Sequence, residues 1–163
     1  MSIHFNADEI FQMAEQVERN GAKFYRKAAE GSGDAAGRQF LLELAAMEDE
    51  HEKTFASMRA ALSPQERTAT VFDPQNEAGM YLKVMADGYV FDVRTEPADL
   101  LTGQETAAEI LRTAIGLEKD SIVFYLGIKE MVPARLGKEK IDHIIKEEMS
   151  HITGLSNKLA SLS

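Results

Sequence analysis

Met47-Glu48-Asp49-Glu50-His51 recurs one hundred positions later as Glu147-Glu148-Met149-Ser150-His151, so that in both places a glutamate stands three residues before a histidine. Positions i and i+3 share a face of a helix. Thirty residues upstream of each copy lies a second matched pair, Glu18-Arg19-Asn20-Gly21-Ala22-Lys23-Phe24-Tyr25 and Glu118-Lys119-Asp120-Ser121-Ile122-Val123-Phe124-Tyr125. Ala7, Glu9, Ile10, Ala14, Glu30 and Gly37 return in the same register at Ala107, Glu109, Ile110, Ala114, Glu130 and Gly137. A lone Glu-x-x-His is weak evidence of anything; the shared register argues for two helical pairs, each contributing one Glu and one Glu-x-x-His.

The six residues Glu18, Glu48, His51, Glu118, Glu148 and His151 carry four negative charges when the carboxylates are ionised and the imidazoles neutral. Two divalent cations balance that charge, whereas four carboxylates buried without a counter-charge would meet a large desolvation cost. The pattern resembles the two-metal ligand arrangement of ferritin-like carboxylate bundles, and the charge count agrees with it. Glu147 also lies one turn from His151, but its repeat counterpart is Met47, so Glu148 is the chosen ligand. Glu43, Glu50 and Glu52 fall off the apolar stripe and belong to a solvated face.

Composition narrows the chemistry further. With no Cys, disulfides, thiolate metal sites, iron-sulfur clusters and cysteine nucleophiles are excluded, which leaves carboxylate and imidazole ligation. A net charge of -9 argues against nucleic acid or an anionic membrane as a partner. The start, Met1-Ser2-Ile3-His4-Phe5, shows no basic segment followed by an apolar run, and no span of about 20 apolar residues occurs. The expectation is a soluble cytoplasmic protein, with 1–163 forming one domain.

The first helix is announced by Asn6 as cap, Glu9 reaching back to it, and Phe5 and Ile10 spaced as a staple. Its stripe runs through Ile10, Met13, Ala14, Val17, Phe24, Tyr25 and Ala28, with Glu18 inside it. Gly31, Gly33 and the cap Asp34 separate it from a second helix, which begins near residue 35 and stops at Ser63-Pro64. This first pair spans 7–62. Residues 64–102 interrupt the repeat. Within them Asp73-Pro74 starts a short helix with Met80, Tyr81, Val84 and Met85 on one face, ending near Gly88, and 89–93 reads as extended. A connection of this length fits a crossover along a four-helix bundle. That stripe either covers the bundle or contacts a partner chain; a two-fold homodimer is the simplest assembly.

The second pair spans 103–161. Its first helix begins at Thr102 with Glu105, or at Thr106 with Glu109, and Pro133 ends it after Met131-Val132. The last helix carries Ile141, Ile144, Ile145, Glu148, His151, Ile152 and Leu155 on one stripe. Tyr25 and Tyr125 lie two turns beyond Glu18 and Glu118, where each either fills core or hydrogen-bonds the metal site. His4 and His143 share no motif and read as surface residues.

On Glu18 to Tyr25, Glu118 to Tyr125 and the two Glu-x-x-His pairs, the chain resembles the ferritin-like domain of rubrerythrin and its relatives, across about four fifths of its length. The resemblance implies an all-α, ferritin-like four-helix bundle whose second and third main helices are joined by the long crossover. It implies two iron ions, other divalent metals being possible, with Glu48 and Glu148 bridging, Glu18 and Glu118 terminal, and His51 and His151 completing one ion each. Family members reduce peroxide or dioxygen, or oxidise ferrous iron. The rubredoxin module of rubrerythrin proper needs four cysteines that this chain lacks, so electrons would come from a separate external donor. An oxidoreductase acting on peroxide or dioxygen is therefore expected. A ferroxidase or iron-storage protein is the alternative, and a metal-free structural bundle the third reading. One departure stands out: peroxide-reducing rubrerythrins carry a further Glu three residues after the third-helix ligand, where this chain has Ser121, opposite Gly21 in the first repeat. Slower peroxide turnover is the expectation.

Overall fold

The computed structural model describes residues 6–68, Glu77, Met80, Tyr81 and 97–162. The chain folds as an all-α bundle built from α1 (Ala7–Glu30), α2 (Ala35–Ala60), the short α3 (Pro64–Thr68), α4 (Ala107–Lys129) and α5 (Lys138–Ala160). Short 3-10 turns occupy Pro97–Leu100 and Ala134–Leu136. No strand occurs among the described residues.

The internal repeat is a structural repeat as well, since α1 opens at Ala7 and α4 at Ala107 behind the same capping box. Asn6 accepts from the Glu9 N–H while the Glu9 carboxylate accepts from the Asn6 N–H, and Thr106 and Glu109 repeat the exchange. Each exchange satisfies donors that the first turn leaves unpaired. Of the two starts open for this helix, Thr106 is the cap; Thr102 and Glu105 close a separate turn just ahead of it. The helix also ends earlier than Pro133 alone implies. Lys129 is its last residue, because the Met131 and Val132 N–H groups both turn back to the Ile128 carbonyl and tighten the chain before proline forces it extended. Gly137 then takes a left-handed φ of 88° to begin α5.

Ion pairs along the seams set the helix directions. Asp8 and Glu15 meet Arg59 at 3.1 and 3.3 Å, Arg19 meets Glu52 at 2.7 Å, and Arg26 meets Asp49, so α1 and α2 are antiparallel. Lys129 meets Asp142 at 2.7 Å where α4 turns into α5, and these two are antiparallel as well. Across the bundle, Tyr25 reaches Glu118 and Tyr125 reaches Glu18, so α1 also opposes α4. α2 and α4 thus run the same way, and the chain between them must return along the length of the bundle. That direction requires the crossover.

Of the crossover, α3 is an addition to the expected elements, held by Arg67 on the Arg59 carbonyl and by Arg135 on the Glu66 carboxylate. The helix expected from Asp73-Pro74 lies largely outside the described residues, although Glu77, Met80 and Tyr81 are helical. The extended reading of 89–93, the Phe5 half of the staple and His4 also lie outside them. Tyr81 covers the bundle: its hydroxyl donates to the Val123 carbonyl at 2.5 Å and its ring packs over Gly127.

Two apolar clusters fill the bundle. One gathers Ile10, Phe11, Ala14, Phe55, Met58, Tyr125, Ile128, Ile141 and Ile144; the other gathers Phe24, Tyr25, Ala28, Leu41, Leu44, Leu111, Ala114 and Leu155. Between them lie the buried polar side chains.

Candidate metal centre

Glu18, Glu48, His51, Glu118, Glu148 and His151 all converge at mid-bundle, each no more than 4 % exposed. Burial of four carboxylates needs a compensating partner. The helices supply the geometry: Glu48 and His51 on α2, and Glu148 and His151 on α5, are i,i+3 pairs whose stripes face one another, while Glu18 and Glu118 enter from α1 and α4. The ligand atoms fall into two overlapping sets, Glu18, Glu48, His51 and Glu148, and Glu48, Glu118, Glu148 and His151, with all atoms of each set within 4.8 Å of one another. Glu48 and Glu148 belong to both sets.

Both imidazoles turn Nδ1 inward. His51 Nδ1 lies 2.9 Å from Glu148 and 3.5 Å from Glu18, and His151 Nδ1 lies 3.2, 3.3 and 3.4 Å from Glu148, Glu48 and Glu118. The rings stack at 5.8 Å with 20° between their planes. Several of these buried atoms, Glu18 Oε2, Glu48 Oε1, Glu148 Oε1 and His51 Nδ1, have no hydrogen-bond partner despite their proximity. Buried carboxylate oxygens and imidazole nitrogens converging on a common centre are what a cation site requires, and such donors suit iron, manganese or zinc. The residues fit two metal ions.

The electrostatics fit as well. Burial, with the charges of Glu48 and Glu148, holds Glu18 well above the usual carboxylate range, and burial also raises Glu48. Glu118 is pushed up to about 8 by burial and by Glu148 beside it. Glu148 is the exception. Burial would raise it too, but hydrogen bonds from Glu118, His151 and His51 pull it below the usual range. Burial opposes protonation of the histidines, yet Glu148 and Glu18 hold His51 up at about 11, and Glu118, Glu148 and Glu48 hold His151 at about 12. The cluster binds protons where cations would otherwise balance it.

Tyr25 and Tyr125 fill core and also touch the site. Each ring sits in one apolar cluster, and each hydroxyl donates across the bundle, Tyr25 to Glu118 and Tyr125 to Glu18. Burial first, and then the nearby carboxylates, raise both phenols well above 10, so they stay protonated donors.

Two residues of this site escaped the sequence reading. Gly21 lies against Glu48, where a Cβ would stand 2.7 Å from Glu48 Oε2. Glu147, set aside because Met47 holds its place in the repeat, puts its carboxylate 3.0 Å from His51 Nε2. The mismatch with Met47 was the available signal. His143 is exposed, as expected, with Nε2 3.6 Å from Glu147. No helix among the described residues is long and apolar enough to cross a membrane.

No family model matches the chain, and no curated protein matches it. Among solved structures it is similar to a Thermotoga maritima protein described as a candidate ferritin-like diiron-carboxylate protein, with 23% identity, a TM-score of 0.77 and 98% of each chain covered. The bundle that positions these six residues therefore has the ferritin-like fold.

Proposed function

We propose that this chain is a non-haem di-iron carboxylate protein of the rubrerythrin-like kind, acting as an oxidoreductase on dioxygen or peroxide with electrons from a separate donor. The observation that carries the reading is the pair of overlapping ligand sets sharing Glu48 and Glu148. In this reading Glu48 and Glu148 would serve both ions, Glu18 and His51 would help hold one, and Glu118 and His151 the other. Bound iron would supply one-electron redox chemistry at two adjacent open positions.

The protein's own part is to orient and exclude. Tyr25 and Tyr125 fix the terminal carboxylates by donating to Glu118 and Glu18. Val17, Gly21, Phe24, Leu117 and Ser121 leave beside Glu48 and Glu118 a cavity of about 10 Å³. That is the room of about one water molecule, which supports a small oxidant as the substrate.

Ferrous-iron oxidation is a second reading, favoured by Ser121. Its hydroxyl donates to the Leu117 carbonyl at 3.0 Å, so it is tied to its own helix and offers no carboxylate to the site. The test is to load the protein with iron, confirm two ions per chain by metal analysis, reduce it anaerobically, and follow reoxidation by dioxygen and by peroxide. Native protein should react faster with dioxygen, and Ser121→Glu should raise the peroxide rate. If the native protein strongly prefers peroxide and Ser121→Glu adds nothing, the inference from Ser121 fails; fewer than two bound metals would sink the di-iron reading itself.

A further inference from the structure

We infer that Glu147 makes the two metal positions unequal, by locking His51 from outside while His151 has no equivalent carboxylate among the described residues. The His51 ring is held at both nitrogens, with Nδ1 against Glu148 and Glu18 and Nε2 3.0 Å from Glu147 Oε2. An acceptor on Nε2 keeps the proton there, leaves the Nδ1 lone pair for a cation and fixes the plane of the ring. His151 turns Nδ1 inward in the same way, but its Nε2 is buried and has no hydrogen-bond partner among the described residues.

The inequality is written in the repeat. Glu147 precedes Glu148 as Met47 precedes Glu48, and a thioether is only a weak acceptor. Glu147 is well placed to support the ring, since its side chain is 34% exposed at the edge of a polar groove that opens over His51. Glu50, Lys53, Glu139, Lys140 and His143 line that groove. Glu147 is thus a positioning residue that acts on the metal through His51. Support of this kind typically changes metal affinity by about 10- to 100-fold. The position built from Glu18, Glu48, His51 and Glu148 should therefore fill before the one built from Glu48, Glu118, Glu148 and His151.

This inference rests on the two-metal reading, and a titration separates the two. Chelator-treated protein is titrated anaerobically with Co(II), following its visible ligand-field absorption, in the native chain, Glu147→Met and Glu139→Gln. Native protein should take up two equivalents with unequal affinity. Glu147→Met should weaken the tighter step by about 10- to 100-fold and leave the weaker one unchanged. Glu139→Gln removes a charge from the same groove without touching His51 and should change neither step. The His151→Ala protein keeps the supported position, so adding Glu147→Met to it should cost the same factor; in His51→Ala it should cost nothing. Equal affinities in the native chain, a Glu147→Met that shifts neither step or both alike, or a matching loss in Glu139→Gln would overturn the inference while leaving the two-metal reading intact. Failure to take up two equivalents would overturn both.

Discussion

Gly21 sets two physical effects against each other. An alanine in the middle of α1 should stabilise the helix by up to about 1 kcal/mol, because glycine surrenders more backbone freedom on folding. At this position the added Cβ would stand 2.7 Å from Glu48 Oε2, and Glu48 is 4 % exposed, with little room to swing. The carboxylate must shift by several tenths of an ångström, which displaces it within both ligand sets. Gly21→Ala is therefore expected to leave the chelated protein at least as stable while reducing the rise in Tm that metal produces. Thermal melts with chelator and with Mn(II) check this; an unchanged metal-induced rise would show that Glu48 has more freedom than its burial implies.

At the scale of the helix, the two capping boxes place the ligands. Glu18 lies about three turns into α1 and Glu118 about three turns into α4, so matched starts leave the two carboxylates at equivalent depths along their helices. The Asn6–Glu9 and Thr106–Glu109 exchanges pin those starts. Replacing Asn6 with Ala should cost about 1 kcal/mol, and Thr106→Ala a similar amount, measured by urea denaturation of the chelated protein. Losses below a few tenths would mean that packing alone sets the register. Between the helices, sequence was less informative. Pro133 announced a stop, but the last turn of α4 tightened sooner, and α3 formed behind Pro64 where only a break was expected.

Over the whole molecule, the site makes stability depend on pH and metal in opposite ways. Glu118, raised from its ordinary 4.5 to about 8, keeps in the folded state a proton that the unfolded chain releases. That contribution is fully present below pH 4.5 and is lost as pH rises through 8. His51 and His151, raised from 6.5 to about 11 and about 12, add stability below 6.5 that declines above it. Glu148 is shifted the other way, so its contribution is lost only as pH falls below the ordinary carboxylate range. Between pH 6 and 8 the folded chain therefore holds more protons than the unfolded one, and the chelated protein should lose stability as pH rises. Cations displace those protons, so metal should bind more tightly over the same range and the gap in Tm between loaded and chelated protein should widen. Melts at pH 6, 7 and 8 test this; a chelated protein that gains stability with pH would contradict it.

The all-α class, the two matched pairs, the register that makes Glu18 equivalent to Glu118 and Glu48 to Glu148, and the carboxylate and imidazole donors were legible along the chain. Those follow from periodicity and caps, which act between residues a few positions apart. Which side chains meet across helices far apart in sequence is a matter of packing. Packing sends the hydroxyls of Tyr25 and Tyr125 to the opposite repeat's glutamate and makes Gly21 the space for Glu48. It also turned Glu147 from a discarded ligand into the partner of His51. Contacts of this kind depend on how neighbouring helices are rotated and spaced, and the whole packed core settles those angles together.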